Sequence, residues 1–435
     1  MSRQFRTGDQ TFVRELNRSI LLERLWVGSP VSRADLAGST GLNKTTVSSL
    51  VDGLISDGFV REIGLDASAG GRPGVLLELN PDAGLMIGAE IGVECLNVVV
   101  SNLRASVSWR RQVLFERSDS LEHVLERLAT MLRQAKQHCQ RRGLRLFGAG
   151  ITIPGLVDVG SGTLVFEPNM GWTNVAVRQH LIDRLHIPIL IDNDANAAAL
   201  AERYFGVARG VDDFAYVVAN IGLGTGLVLG GHILLGVSGH AGEAGHTTID
   251  PDGPLCRCGN RGCWERLASQ RALMERAEQA IAAGRPTLLA GTTDQGTARV
   301  NMQTVLQAAQ AGDDVALEAL HETGMYLGIG IANLVNIFNP SLVVLGGTLS
   351  LAHEFLLPVA RQVAQERAMR ELRQAARIVV SAFKADACVM GGVALVLHGL
   401  LSRPQLVLSR PSQRVLGRAA ADLAPAFADE TGAQT

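Results

Sequence analysis

Four residues in the second half of the chain have the types and spacing of a metal site. His246 is followed by Cys256, Cys258 and Cys263, with nine, one and four residues between successive members. Three thiolates and one imidazole complete a tetrahedron and leave no position open for water. That is the arrangement of structural rather than catalytic zinc. Gly259 and Gly262 allow the tight chain path that clustered ligands need. Cys95, Cys139 and Cys388 stand apart and are expected to be small buried apolar residues. Six cysteines in 435 residues are too few for a disulfide scaffold.

A second chemistry-bearing run lies near the N-terminus. Lys44, Thr45, Thr46, Ser48 and Ser49 put a cation and hydroxyls on one side of a segment whose other side is Val47, Leu50, Val51, Leu54 and Ile55. Such groups reach phosphates and base edges when a helix enters a major groove. The spacing predicts a helix from a cap at Asn43 to about Ser56, preceded by a short helix with a capping-box pattern at Ser32 and Asp35. A first helix is expected over about 11–27. Two strands, 59–63 and 75–79, flank a loop containing Gly70-Gly71-Arg72-Pro73-Gly74. The sum is a winged helix-turn-helix, with Arg72 on a tip able to enter a minor groove.

Composition bounds the partners. Lys+Arg is 40 against Asp+Glu 42, so no polybasic coat exists. Residues 1–63 hold eight Lys/Arg and seven Asp/Glu, a margin of +1. DNA binding must therefore rest on a few placed groups (Lys44, Arg72, Arg3, Arg6) and on pairing two subunits. Aromatics at 4% argue against base stacking on single strands. The N-terminus lacks the apolar core of a signal peptide, and no membrane span is expected, so the chain reads as cytoplasmic.

From about residue 82 the texture becomes strand, loop and helix, rich in glycine. Strands are expected at 85–92, 96–101, 148–154, 187–192, 215–221 and 341–347, with helices at 120–141 and behind Asp192-Asn193-Asp194. Two glycine-bearing strand pairs, near 85–100 and 215–231, suggest two α/β lobes with a cleft at the strand ends. The stretch 221–265 resembles the signature of the ROK family of repressors and sugar kinases. Gly224-Thr225-Gly226 resembles its phosphate loop, Glu243-Ala244-Gly245-His246 its sugar-and-metal element, and Cys256 to Glu265 its zinc element. With the winged helix, the chain resembles the repressor branch. The resemblance implies a winged helix-turn-helix (1–80) before a two-lobed actin-like, ribonuclease H-like sugar-kinase fold (81–200 and 201–400), then a tail, 401–435.

It also implies a sugar site. Carboxylates and amides read a ring of hydroxyls in pairs. In the kinases the residue matching Asp194 deprotonates the sugar, and those matching Asn193, Glu243, His246 and Glu265 hold the ring. Here they are expected to serve as hydroxyl ligands, with Asn169 as a weaker candidate. Asp194 has a second reading, as a cap for its alanine-rich helix. The first phosphate turn departs from the kinases' Asp-x-Gly-Gly-Thr: it runs Glu90-Ile91-Gly92-Val93-Glu94. Val93 adds bulk where backbone should approach phosphate. Glu94 adds a charge that at about 4 Å repels an anion by roughly 4 kcal/mol at an effective dielectric of about 20. After Gly224-Thr225-Gly226 comes Leu227-Val228 where kinases tend to keep glycine. Asp194 is thus a vestigial base, and no catalytic residue is assigned.

The expectation is a sugar-responsive repressor: a homodimer on double-stranded operator DNA, released by a sugar or sugar phosphate, with structural zinc. An active sugar kinase with an appended DNA module, and a regulator moved by a protein partner, are the alternatives.

Overall fold

The computed structural model describes residues 10–65, 74–291 and 300–402. Arg72, Arg3, Arg6 and the tail beyond 402 lie outside the described residues.

The N-terminal domain forms as its caps dictate. Helix α1 (Gln10–Gly28) is followed by β1 (Val31–Ser32), α2 (Arg33–Thr40) and α3 (Lys44–Ser56), then β2 (Val60–Leu65) and β3 (Val75–Leu79). Ser32 and Asp35 close a capping box on α2, and Gly41 ends it in the left-handed region. The Asn43 side chain accepts from the Thr46 amide at 2.7 Å and starts α3. A short antiparallel sheet, β1-β3-β2, forms the wing. Of the groups expected to meet DNA, Lys44, Thr45 and Ser49 are exposed, while Thr46 and Ser48 are half-buried. Arg33 is engaged by Asp52 and Glu62, both at 3.0 Å, and Arg61 by Glu78. Lys44 has no ion-pair partner among the described residues.

The first lobe is built on a five-stranded sheet in the order β11-β7-β4-β5-β6. Its strands are β4 (Leu85–Ile91), β5 (Cys95–Asn102), β6 (Val107–Leu114), β7 (Leu146–Ile153) and β11 (Ile189–Asn193). Helices α4 (Leu121–Arg141) and α5 (Val177–Leu185) cover one face. Strand β4 is buried throughout, as a continuous apolar run between two layers must be. A side sheet of β8 (Leu156–Asp158), β9 (Thr163–Glu167) and β10 (Trp172–Val175) projects from it.

The second lobe repeats the plan with the sheet β14-β13-β12-β15-β16. The strands are β12 (Phe214–Ala219), β13 (Leu223–Leu229), β14 (His232–Ile233), β15 (Leu342–Gly346) and β16 (Arg377–Val380). Around it lie α7 (Trp264–Ala268), α8 (Gln270–Ala282), α9 (Met302–Gln310), α10 (Asp314–Phe338), α11 (His353–Arg367) and α12 (Arg370–Arg373).

Two helices join the parts. Helix α6 (Asp194–Phe205) runs between the lobes, and α13 (Ala387–Ser402) packs on α6, β4 and β7. The C-terminal helix therefore returns to the first lobe, although its sequence position had been assigned with the second. Its length and hydropathy would suit a membrane, but it is buried in the core. The seam is close: a Cβ on Gly226 would lie 2.4 Å from the Ala195 carbonyl oxygen, and one on Gly391 2.6 Å from the Ala197 carbonyl carbon. Alanine and glycine are required there because backbone meets backbone.

The N-terminal domain is not a bead on a linker. Leu21, Leu22 and Leu25 of α1 share one apolar cluster with Met86, Val99, Val389 and Val393. Phe59 stacks on Phe147 of β7 with ring centroids 5.5 Å apart. Trp26 meets Tyr204 and Phe205, at the end of α6, edge-on at 6.0 and 5.6 Å.

Candidate functional site

The cleft gathers the expected polar residues at strand and helix ends. Asn193 ends β11 and caps α6: its Oδ1 accepts from the amides of Ala195 at 2.8 Å and Asn196 at 3.3 Å. Its Nδ2 donates to the Gly155 carbonyl at 2.9 Å. Asn193 thus has a structural role, with one N–H left over. Asp194 uses Oδ1 to accept from the Ala195 amide at 2.9 Å, and Oδ2 has no partner among the described residues. Burial, with the charges of Glu243 and Glu167, pushes the Asp194 carboxyl up to about 7. The cap expected at Asp194 is supplied by Asn193 instead: Asp194 is the first residue inside α6.

Glu167, at the end of β9, escaped sequence reasoning. It is fully buried and accepts from Asn169 Nδ2 at 3.0 Å and from the Met170 amide. Only the neighbouring Pro-Asn-Met turn in the sequence hinted at it. Glu265 begins α7, and its Oε2 accepts from the Leu223 amide at 3.1 Å. Glu243 is solvent-accessible, and desolvation, with the nearby Glu265 charge, pushes its carboxyl up.

Beside the cleft lies the His/Cys cluster. The ligand atoms of His246, Cys256, Cys258 and Cys263 all lie within 4.8 Å of one another. His246 Nδ1 is 3.7 Å from Cys256 Sγ, and Cys258 Sγ is 3.7 Å from Cys263 Sγ. Thiolates held at about 2.3 Å from a tetrahedral ion would be about 3.8 Å apart, so the donor set fits such an ion. The local path is imposed by Gly262 at φ +60°: a Cβ there would lie 1.4 Å from the Asp250 carbonyl oxygen. The knuckle is anchored through buried Trp264, whose Nε1 donates to the Tyr326 carbonyl of α10 at 2.9 Å. Cys256 Sγ and Glu265 Oε1 are 3.9 Å apart, so the metal set and the cleft carboxylates share one wall.

The phosphate side differs from the sequence expectation in two respects. Gly224-Thr225-Gly226 lies inside β13, paired with β12, rather than in a loop. The Thr225 hydroxyl donates to the Gly242 carbonyl, and Gly226 is required by α6. Glu94 does not stand alone: Arg117 pairs with it at 3.1 Å and offsets part of the repulsion. Glu90 is buried beside Asp194 and Asp386. Desolvation, followed by those charges, raises its carboxyl to about 8. Arg110 grips Asp386 through two contacts of 2.9 and 2.7 Å, tying β6 to the start of α13. Cys95 is half-buried and Cys139 and Cys388 are buried.

Known proteins resemble this chain in sequence and in fold. Residues 86–398 match the model of the ROK family. The chain is 35% identical over 393 residues to the xylose repressor of Bacillus subtilis, covering 90% of this chain and 98% of that one. Among solved structures, a ROK family transcriptional regulator, a homolog of the Escherichia coli MLC protein, superposes with a TM-score of 0.78 at 28% identity. It covers 94% of this chain and 99% of its own. A ROK family glucokinase from Streptomyces griseus, solved with glucose and AMPPNP, has a TM-score of 0.66 at 30% identity. It covers 73% of this chain and all of the kinase. The chain belongs to the ROK family.

Proposed function

We propose that this chain is a sugar-responsive DNA-binding transcriptional repressor of carbohydrate-utilisation genes. Its parts would be a winged reader (1–80), a two-lobed sensor (81–400) and a tail (401–435) to which no function is assigned. Lys44, Thr45, Thr46, Ser48, Ser49 and Arg72 would meet operator DNA. Asp194, Glu243, His246, Glu265 and Asn169, with Asn193 in support, would hold the sugar or sugar phosphate. His246, Cys256, Cys258 and Cys263 would hold structural zinc, whose role is to fix the loop that carries Glu243 and Glu265. Two subunits would read a palindrome from the cytoplasm.

The observation that carries this reading is the path of α6. It begins at Asp194 in the cleft and ends on Trp26 of the DNA-binding module. A ligand that favours one position of α6 would shift the module with it. Trp26→Ala is expected to leave sugar affinity near that of the native chain. It should bring the ratio of operator affinities without and with sugar close to one. Electrophoretic titration beside calorimetry measures both, and an undiminished ratio would contradict this route. A thermal-shift screen against a sugar panel tests the effector itself.

The Asp194 carboxyl gives a pH signature. A carboxylate accepts from two hydroxyls, whereas the protonated acid accepts less well. With its value raised to about 7, sugar affinity should rise from about pH 6 to about pH 8 and then level off. Asp194→Asn should bind weakly and lack that step; an unchanged profile would remove Asp194 from the site.

One observation favours a second reading, an active kinase: a carboxyl titrating near neutrality suits a general base. ATP-dependent phosphorylation of any panel sugar would establish it. The altered Glu90-Ile91-Gly92-Val93-Glu94 turn supports its absence.

A further inference from the structure

The knuckle reaches across the cleft. Arg257 stands between two of the cluster thiols, Cys256 and Cys258. Its Nη1 donates to the Asn169 carbonyl at 3.0 Å and lies 3.4 Å from Asn169 Oδ1. Asn169 belongs to the turn between β9 and β10 of the first lobe, whereas Arg257 belongs to the second. The contact therefore spans the two walls of the cleft.

Arg257 is exposed, so the weight of the contact lies in how firmly its two ends are held. The Asn169 amide is orientated from both sides: its oxygen faces a guanidinium that can only donate, and its Nδ2 donates to Glu167 at 3.0 Å. Glu167 is fully buried, so its carboxylate holds a fixed place. An amide clamped in this way has one N–H left, in a set position. The other end is equally constrained, because the residues on both sides of Arg257 belong to the metal cluster. Little backbone freedom is lost when the arginine engages, unlike an arginine on a free surface loop.

We propose that Arg257 is a positioning residue of the effector site, which latches the metal-holding knuckle onto Asn169 and thereby sets sugar affinity and lobe closure. The inference rests on reading the cleft as a sugar site. Arg257 would not touch the sugar. It would hold the Asn169 amide in the orientation that presents its free N–H to a hydroxyl.

The test uses the full, zinc-loaded chain with three variants: Arg257→Ala, Arg257→Lys and Asn169→Ala, together with the Arg257→Ala/Asn169→Ala double. Binding of D-xylose, D-glucose and N-acetylglucosamine is measured by calorimetry, metal content by atomic absorption, and exchange of the 168–172 amides by hydrogen–deuterium mass spectrometry. Arg257→Ala should weaken the binding sugar about tenfold, the loss of one charge-assisted hydrogen bond, with metal content unchanged. Arg257→Lys should recover part of that loss, because an ammonium can still donate to the Asn169 carbonyl. The double variant should bind no more weakly than Asn169→Ala alone, since the arginine acts through that amide. Exchange over 168–172 should rise in Arg257→Ala.

Additive losses in the double variant, or loss of metal in Arg257→Ala, would overturn the proposal in favour of a merely structural knuckle residue. If no sugar binds the native chain, the effector reading fails on its own. The exchange measurement then decides the latch: faster exchange in Arg257→Ala supports it, and unchanged exchange overturns it.

Discussion

Cys263→Ser should cost the protein its metal and much of its thermal stability, with a fall in Tm on the order of 10 °C. Cys263 is completely buried and caps the start of α7, directly before Trp264. A serine oxygen there is a poor zinc ligand, and its hydroxyl would be left among apolar groups and unbound thiols. Without the ion, the strand-like pairing of Thr248 with Cys263 and of Leu255 with Arg261 has little to hold it. Glu265, two residues on, would lose its fixed approach to the Leu223 amide, so sugar binding should fall together with stability. Cys139→Ser is the control: Cys139 is also buried, but in the first lobe, and that variant should keep its full metal content. Atomic absorption and a melting curve are sufficient to check both. A Cys263→Ser protein with undiminished metal and Tm would remove the cluster from the account.

Gly226→Val is expected to be as damaging, for a steric reason. The nearest atoms to its first side-chain carbon would be the Ala195 carbonyl oxygen at 2.4 Å and carbon at 2.9 Å, then the Ala199 Cβ at 3.0 Å. None belongs to a flexible side chain, so α6 itself must move. Overpacking of this kind costs about 1–3 kcal/mol, and more where backbone has to shift. The displacement would act at both ends of the helix: on Asp194 in the cleft and on Tyr204 and Phe205 where they meet Trp26. A folded fraction of this variant should bind sugar at least tenfold more weakly and show the same operator affinity with and without it. Gly230→Ala, a few residues along the same hairpin with open space around it but a positive φ of 57°, should cost only local strain and leave the response intact. A Gly226→Val protein that responds normally would show that α6 does not carry the signal.

Much of this was legible in the sequence, for reasons that differ by region. The N-terminal domain is written in local signals: the Ser32/Asp35 box and the Asn43 cap act within three residues, and both form as expected. The His/Cys cluster was legible because thiol spacing is a local constraint. Strands β4, β7, β11, β12 and β15 were legible because each is buried on both faces and reads as an apolar run.

What was not legible depends on contacts distant in sequence. The side sheet of β8, β9 and β10 consists of short, partly exposed strands, and nothing in its own pattern shows that it delivers Glu167 beside Asn169, the weaker candidate. Asn193 looked like a ligand, but its side chain is engaged by Gly155 and the start of α6. Glu94 looked like an isolated charge until Arg117, 23 residues further on, was placed beside it. Arg257 carries no local signal, because its partner is 88 residues away. The union of the N-terminal domain with the first lobe, through Phe59 on Phe147 and Trp26 on α6, is equally hidden, since the partners are far apart in sequence.

Sugar in the cleft is expected to control the grip of α3 on DNA. The direct measurement is the affinity of the zinc-loaded chain for its own captured genomic fragment, titrated without sugar and with each member of the panel at fixed ionic strength. One sugar should lower that affinity at least tenfold, Asp194→Asn should abolish the effect, and Lys44→Ala should weaken DNA binding in both conditions alike. A fragment bound with equal affinity in the presence of every sugar that the cleft demonstrably binds would contradict it.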